Sequence, residues 1–357
     1  MEKRELRPVC SLGMFDFFKG YAIFAVVLCH TIECFGSAFV SGNGANPLTY
    51  LFVNTDLPLY GFFIAAGYGI RKRPWKKCWQ QIRKIYLPAY VLAGVLAPAL
   101  LTAVHFLSFR NTRAALGEGL RLLAGFLLGQ YPSTEYGGCL VYSCGPMWFV
   151  VALAEAWFIL NGILYIKNEK LQPLAVAALG LLGYGAGQLM RRYAFALPYC
   201  LSYSMLITPC LYLGYLAKKH NFFEKKPTAL SWAALGASLL ILTVKYREPC
   251  HMAEGLFPLG LLSLCAMYVA GLGLLYLMTH INRRENFLVN ALEKLGHNTM
   301  DILIFHTVEY YGLLWYRTAE RFAARPILGT AVILALRWLF IAAGTWGKEK
   351  ARELADK

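Results

Sequence analysis

Charged residues are scarce in this chain, and acidic ones are the scarcest. Only 15% of its 357 residues are charged, with 20 Asp and Glu against 35 Lys and Arg, whereas 58% are hydrophobic. A soluble globular domain carries about 25% charged and about 45–50% apolar residues. The excess runs through the whole length, and apolar stretches of ~20 residues, long enough to cross ~30 Å of hydrocarbon, recur. We therefore expect an all-α, polytopic membrane protein with one domain, residues 1–357, and no separate soluble domain.

Other signals are missing as well. The net charge of +15 comes without a folded basic face, so we expect no nucleic-acid partner and assign the charge to cytoplasmic loops. The first apolar run, from about Phe15, ends without a small-residue cleavage site, and we expect no cleaved signal peptide. No C-x-x-C pair occurs, and most cysteines are expected as buried thiols. Cys139 and Cys144 share one loop and would pair only if that loop is extracytoplasmic.

About ten stretches are predicted to span the bilayer, with ends uncertain by a few residues. They run over 15–35, 48–70, 85–107, 147–166, 171–190, 198–217, 229–244, 256–279, 295–316 and 327–346. A weaker stretch, 112–130, mixes Leu and Phe with three charges. It is either an interfacial helix or an eleventh, partial span.

Lys and Arg placement predicts the orientation of these spans. The connection after the second span, RKRPWKKCWQQIRK over 71–84, is the densest basic cluster of the chain. Cytoplasmic loops carry the excess of Lys and Arg, so this connection is expected on the inside. Both termini are then cytoplasmic, and the protein is expected in the cell membrane as a multi-pass chain.

The first span carries ionisable residues on one face. In FDFFKGYAIFAVVLCHTIECFG, Lys19 and His30 lie eleven residues apart, which is three helical turns and ~16 Å along the axis. Asp16 lies one turn before Lys19 and Glu33 one turn after His30, on the same stripe. A histidine at this depth serves as a general base when a second group orients it, and Glu33 is the candidate. The alternative is that Asp16 and Lys19 form an interfacial ion pair and that His30 is a core histidine whose hydrogen bonds are satisfied and that has no catalytic role.

The ninth span repeats the H-x-x-E pattern with His306 and Glu309, after Asn298. Two such helices would suit a dimetal bundle only with further inward carboxylates, and Glu155 is the main additional one. We therefore expect no metal, and interpret the second pair as a wall of the same polar cavity.

Five segments together resemble the membrane acyltransferase family 3. The first, FDFFKGYAIFAVVLCH, is similar to the family's LDxL(R/K)GIAIxxVVxxH and places Asp16, Lys19 and His30 on its acid, base and histidine. Lys19 stands where Arg is frequent, Ala66 where Ser is usual, and Thr299 also replaces Ser. The other segments, in the family's order, are GFFIAAGYGI at 61–70, RKIYLPAY at 83–90, GPMWFVVAL at 145–153 and LGHNTMDILIFH at 295–306.

The resemblance implies a membrane-embedded O-acyltransferase that uses cytoplasmic acetyl-CoA as donor. The acceptor would be a hydroxyl of a sugar, a glycan or another cell-envelope molecule. We expect His30 as the catalytic base, with Glu33 as the orienting residue that the helix spacing indicates, and Lys19, Arg83 and Lys84 to bind the CoA phosphates. The substrate cavity would be lined by Asp16, Asn298, His306, Glu309 and Trp148.

Two other functions remain open on the sequence. Ionisable residues at depth and helices broken by Gly or Pro also serve transporters. The family further includes the membrane portions of some amino-acid racemases, so an amino-acid permease or a non-catalytic membrane partner are the alternatives.

Overall fold

The computed structural model describes residues 9–11, 13–35, 56–245, 248, 250–283 and 286–355. Most of these residues, 77%, are helical, as the composition predicts. Within the described ranges the α-helices are, in chain order, α1 Asp16–Glu33, α2 Leu57–Tyr68, α3 Trp75–Gln81, α4 Leu87–Phe109, α5 Thr112–Leu127, α6 Trp148–Ile163, α7 Leu171–Tyr193, α8 Leu201–Lys219, α9 Ala229–Val244, α10 Leu261–Ile281, α11 Phe287–His297, α12 Thr299–Gly312, α13 Trp315–Arg321 and α14 Pro326–Ala355. A π-helical turn, Ile82–Tyr86, joins α3 to α4.

Six helical stretches in the described part of the chain are long and apolar enough to cross a membrane. They are Trp75–Phe109, Gly145–Ile163, Leu171–Tyr193, Pro198–Lys219, Leu261–Ile281 and Pro326–Leu354. Helices α2 and α9 are apolar but shorter. The remaining two predicted spans coincide with α1, which carries charges at both ends, and with α12, which has 14 residues. The polytopic all-α fold is confirmed, and the number ten stays a prediction.

Two predicted spans have wrong boundaries. The stretch 295–316 is not one helix, because α11 ends at His297 and α12 begins at Thr299, with Asn298 at φ −102° and ψ 15° between them. The stretch 256–279 begins too early. Leu256 instead pairs with His251 in a turn, and Gly255 and Gly260, both at positive φ, turn the chain before α10 starts. The start of the second predicted span, 48–55, lies outside the described residues.

Glycines let the central helices approach closely. A Cβ on Gly20 of α1 would lie 1.9 Å from the Leu292 carbonyl oxygen of α11. On Gly67 of α2 it would lie 2.1 Å from the Leu211 carbonyl oxygen of α8. Small residues at such crossings give membrane helices their close van der Waals packing. Helices α1 and α2 are thereby fixed at the centre of the bundle.

The weak stretch 112–130 forms α5, which packs along α4 and keeps one apolar face open. Gly119 approaches Thr102 of α4, while Leu116, Leu120 and Leu127 stay exposed. This two-faced pattern favours the interfacial interpretation. A short antiparallel hairpin, Thr134–Tyr136 with Cys139–Val141, follows it. Cys139 there is exposed and Cys144 is buried, and both thiols are free.

Candidate active site

The last turn of α1 carries a histidine–glutamate pair. His30 Nδ1 and Glu33 Oε2 lie 2.7 Å apart, as expected for residues one helical turn apart. A carboxylate at Nδ1 fixes the proton on that nitrogen and leaves Nε2 as the basic one. About a quarter of the His30 side chain is exposed. The pair therefore has the geometry of an oriented general base.

A long cavity of about 360 Å³ runs beside α1. Lys19 and Met300 line it at one end, and Asp56, His251 and Glu254 line it at the other. Phe15, just before α1, packs against Tyr68 at the end of α2, with ring centroids 5.2 Å apart. The two helices therefore run antiparallel, and the start of α1 with Lys19 lies at the opposite end of the cavity from Asp56, at the start of α2. The long cavity therefore follows α1 from Lys19 past His30.

A second cavity, of about 420 Å³, opens beside the last turn of α1. We call it the side cavity. It is lined by His105, Glu118, Arg337 and several aromatic residues, namely Tyr142, Tyr310, Tyr311, Trp315 and Tyr316. His30 and Glu33 line both cavities. The pair thus lies where the two cavities meet.

The second H-x-x-E pair lies directly behind the first. His306 Nδ1 and Glu309 Oε1 are 2.6 Å apart, and both side chains are fully buried. The His306 ring centroid lies 5.3 Å from that of His30, at an interplanar angle of 30°. His306 and Glu309 line neither the long cavity nor the side cavity. The second pair instead packs behind the first one, so its expected place in the cavity wall stays a prediction.

Glu309 is held by two further donors. Arg337 Nη1 donates to its Oε1 at 3.2 Å, and the Trp315 indole N–H donates to its Oε2. A buried carboxylate needs such partners, because an unpaired charge away from water is costly. Sequence reasoning missed Arg337, although its position within the last apolar stretch, ALRWLF, was a usable signal, since charges inside spans are rare.

A further ionisable pair, Asp56 and His251, closes the far end of the long cavity. His251 Nδ1 lies 3.4 Å from Asp56 Oδ1, and the Met252 N–H donates to Asp56 Oδ2. Burial alone would lower the pKa of His251. The hydrogen bond and charge of Asp56, with the charges of Glu254 and Glu33, outweigh it and raise that pKa to about 9. Sequence reasoning missed this pair because its members lie on segments 195 residues apart.

The other predicted residues fall into two groups. Lys19 and Trp148 line the long cavity, and Asp16 holds Lys19 at 2.5 Å without lining it. Asn298 does not line it, although its neighbours Thr299 and Met300 do. Arg83 and Lys84 are exposed on the π-helical turn, and the next two residues, Ile85 and Tyr86, line the cavity.

No cluster of three or more His, Cys, Asp or Glu suited to a metal ion occurs among the residues described here. The pairs His30–Glu33, His306–Glu309 and His251–Asp56 each combine one imidazole with one carboxylate, which is a set suited to moving protons. His30, oriented by Glu33, lies on the long cavity that Lys19 also lines. Such a base is suited to activating a hydroxyl group.

Comparison with known proteins agrees with this chemistry. A family model described as an acyltransferase domain matches residues 13–346, which is nearly the whole chain and includes all five motif segments. No curated protein and no solved structure matches the chain. The chain therefore belongs to the membrane acyltransferase family 3, and it is a multi-pass enzyme that transfers an acyl group from a donor to an acceptor.

Proposed function

We propose that the protein transfers an acetyl group from acetyl-CoA to a hydroxyl of a sugar, a glycan or another cell-envelope acceptor. The observation that carries the proposal is that His30 and Glu33 line both the long cavity and the side cavity. Two substrates can then reach one base by separate routes. In this proposal the chain lies in the cell membrane with both termini cytoplasmic, as its basic connections favour.

The donor enters the long cavity from the Lys19 end. The cytoplasmic connection 71–84 leads into α4 on this side, and the Lys19 side chain is about a third exposed. CoA carries phosphates, which Lys19 binds directly, while the exposed Arg83 and Lys84 raise the local phosphate concentration. Apolar residues, among them Ile23 and Val26, line the wall between Lys19 and His30. That wall suits the uncharged arm that carries the thioester.

The acceptor enters the side cavity. Tyr142, Tyr310 and Tyr316 line it together with His105 and Glu118. Tyrosine faces stack on sugar rings, and their hydroxyls and a carboxylate bind substrate hydroxyls. The side cavity therefore suits a polyhydroxylated acceptor.

The reaction needs one proton to move twice. His30 Nε2 takes the proton from the acceptor hydroxyl as its oxygen attacks the thioester carbonyl carbon. The tetrahedral adduct then collapses, the carbon–sulfur bond breaks, and the imidazolium returns the proton to the departing thiolate. Glu33 keeps the tautomer correct and stabilises the imidazolium between the two steps.

The test is thioester consumption by purified protein in detergent. We expect wild type to release CoA from acetyl-CoA when hydroxyl acceptors are supplied, and His30→Ala to lose activity by roughly 10²–10⁴-fold. His220→Ala is the matched control, because His220 is exposed at the end of α8, away from both cavities. Equal activity of His30→Ala and wild type would refute the assignment. Substrate flux through liposomes without any acyl-CoA would instead support a transporter.

A further inference from the structure

Arg337 is a buried cation that takes no part in the proton transfer proposed above. It lies in α14, inside a stretch apolar enough to span the membrane, and only 1% of its surface is exposed. A charged side chain in such a helix is costly and usually marks a function. Its contacts show where that function acts.

The guanidinium reaches the last turn of α1. Nη2 donates to the His30 carbonyl oxygen at 3.2 Å and to Cys34 Sγ at 3.3 Å. Carbonyls in the last turn of a helix have no partner within the helix and need one from outside. The Cys34 thiol also donates to the His30 carbonyl oxygen, at 3.3 Å, and Arg337 adds the charged donor that caps α1 at the residue that carries the base.

The same guanidinium reaches α12. Nη1 donates to Glu309 Oε1, which also binds His306 Nδ1. Arg337 Nε has no hydrogen-bond partner among the described residues. Arg337 thus leaves one of its donors unpaired in the described part of the chain. Its other donors contact both H-x-x-E turns at once, one on α1 and one on α12.

We propose that Arg337 is a positioning residue for the acyl transfer. By binding the His30 carbonyl and the Glu309 carboxylate, it fixes α1 against α12 and keeps the His30 imidazole at the junction of the two cavities. This inference rests on the proposed function.

The competing interpretation is that Arg337 only neutralises Glu309. The double variant Arg337→Met with Glu309→Gln separates the two, because it removes both buried charges and avoids the unpaired carboxylate that a single substitution leaves. If Arg337 only neutralises, the double variant folds and keeps the wild-type kcat. If Arg337 positions His30, the double variant folds but kcat falls roughly 10- to 100-fold. KM for acetyl-CoA then stays within about twofold, since Lys19 lies ~16 Å away along α1.

Two further variants keep the test decisive. Arg337→Lys retains the charge but not the planar fork that binds two partners, so we expect a lower kcat at unchanged KM even if the double variant fails to fold. Wild-type kcat in Arg337→Lys would overturn the proposal. Arg317→Gln is the matched control, since Arg317 lies over the Phe109 ring and should leave kcat unchanged.

Cysteine alkylation separates failure of this inference from failure of the proposed function. Cys34 lines the side cavity and contacts Arg337, whereas Cys265 is exposed on α10. We expect a small maleimide to modify Cys34 several times faster in Arg337→Lys, which keeps the positive charge beside the thiol, with Cys265 unchanged, as measured by peptide mass spectrometry. Because this readout needs no substrate, it holds even if wild type transfers no acetyl group. Unchanged Cys34 reactivity would contradict the positioning role.

Discussion

The His251–Asp56 pair predicts that the protein loses stability as the pH rises through about 9. His251 lies in the loop between α9 and α10, and Asp56 immediately precedes α2. The pair joins the loop to α2 at the far end of the long cavity. Among the described residues, Glu254 and Glu33 also act on His251 through their charges.

The magnitude follows from the pKa of His251. Its rise from the ordinary value of 6.5 to about 9 corresponds to roughly 3 kcal/mol of the free energy of unfolding. This is an upper bound, because 23% of the side chain is exposed and solvent screens the pair. A group whose pKa is raised on folding stabilises fully below its unfolded pKa. The contribution is therefore complete below about pH 6.5 and disappears as the pH passes about 9.

The assay is thermal unfolding in detergent from about pH 6 to about pH 10, for wild type and His251→Gln. We expect the midpoint of wild type to fall by several degrees across this range. His251→Gln should already be less stable at about pH 6 and should lose less with rising pH, because glutamine does not titrate. Asp56→Asn should behave in the same way, since it removes the charge that holds the proton. If the unfolding midpoint of either variant falls with rising pH as steeply as that of wild type, the reasoning is refuted.

Two predictions concern the donor route and the helix packing. Lys19→Ala should raise KM for acetyl-CoA about tenfold, since a hydrogen bond to a charged group is lost, and should leave kcat nearly unchanged. Lys76→Ala, at an exposed residue of the 71–84 connection, should change neither, and an equal effect in both variants would contradict a specific role of Lys19. Gly67→Ala should destabilise the protein by about 1–3 kcal/mol, because its Cβ would lie 2.1 Å from the Leu211 carbonyl oxygen. Gly69→Ala, whose nearest neighbour lies 3.5 Å away, should be nearly neutral in the same thermal unfolding assay, and equal loss in both variants would contradict the packing argument.

Helical periodicity was enough to predict the part of the site that lies on one helix. The spacing of Lys19, His30 and Glu33 places them on one face, and the structure has all three on the wall of the long cavity. Composition and the recurring apolar stretches likewise predicted the polytopic all-α fold, and the family motifs implied Trp148 as a lining residue. These features depend only on neighbours within a few turns, which the sequence displays directly.

The rest depends on which distant segments meet. Arg337 binds residues 28 and 307 positions away, and no local pattern encodes such a contact. The break at Asn298 was also missed, although polar residues, His297 and Thr299, flank it on both sides. Close packing of Gly296 against the Asp16 backbone depends on α1, so only the tertiary fold shows it.

The central proposal is that two substrates reach His30 by separate routes, the donor through the long cavity from the face of the 71–84 connection and the acceptor through the side cavity beside the other end of α1. The most direct measurement uses proteoliposomes with inserted protein of one orientation, acetyl-CoA supplied on the face of the 71–84 connection, and a membrane-impermeant hydroxyl acceptor on the other face. We expect acetylated acceptor to form in this arrangement with wild type and not with His30→Ala. Product formed only when donor and acceptor share one face would contradict the account.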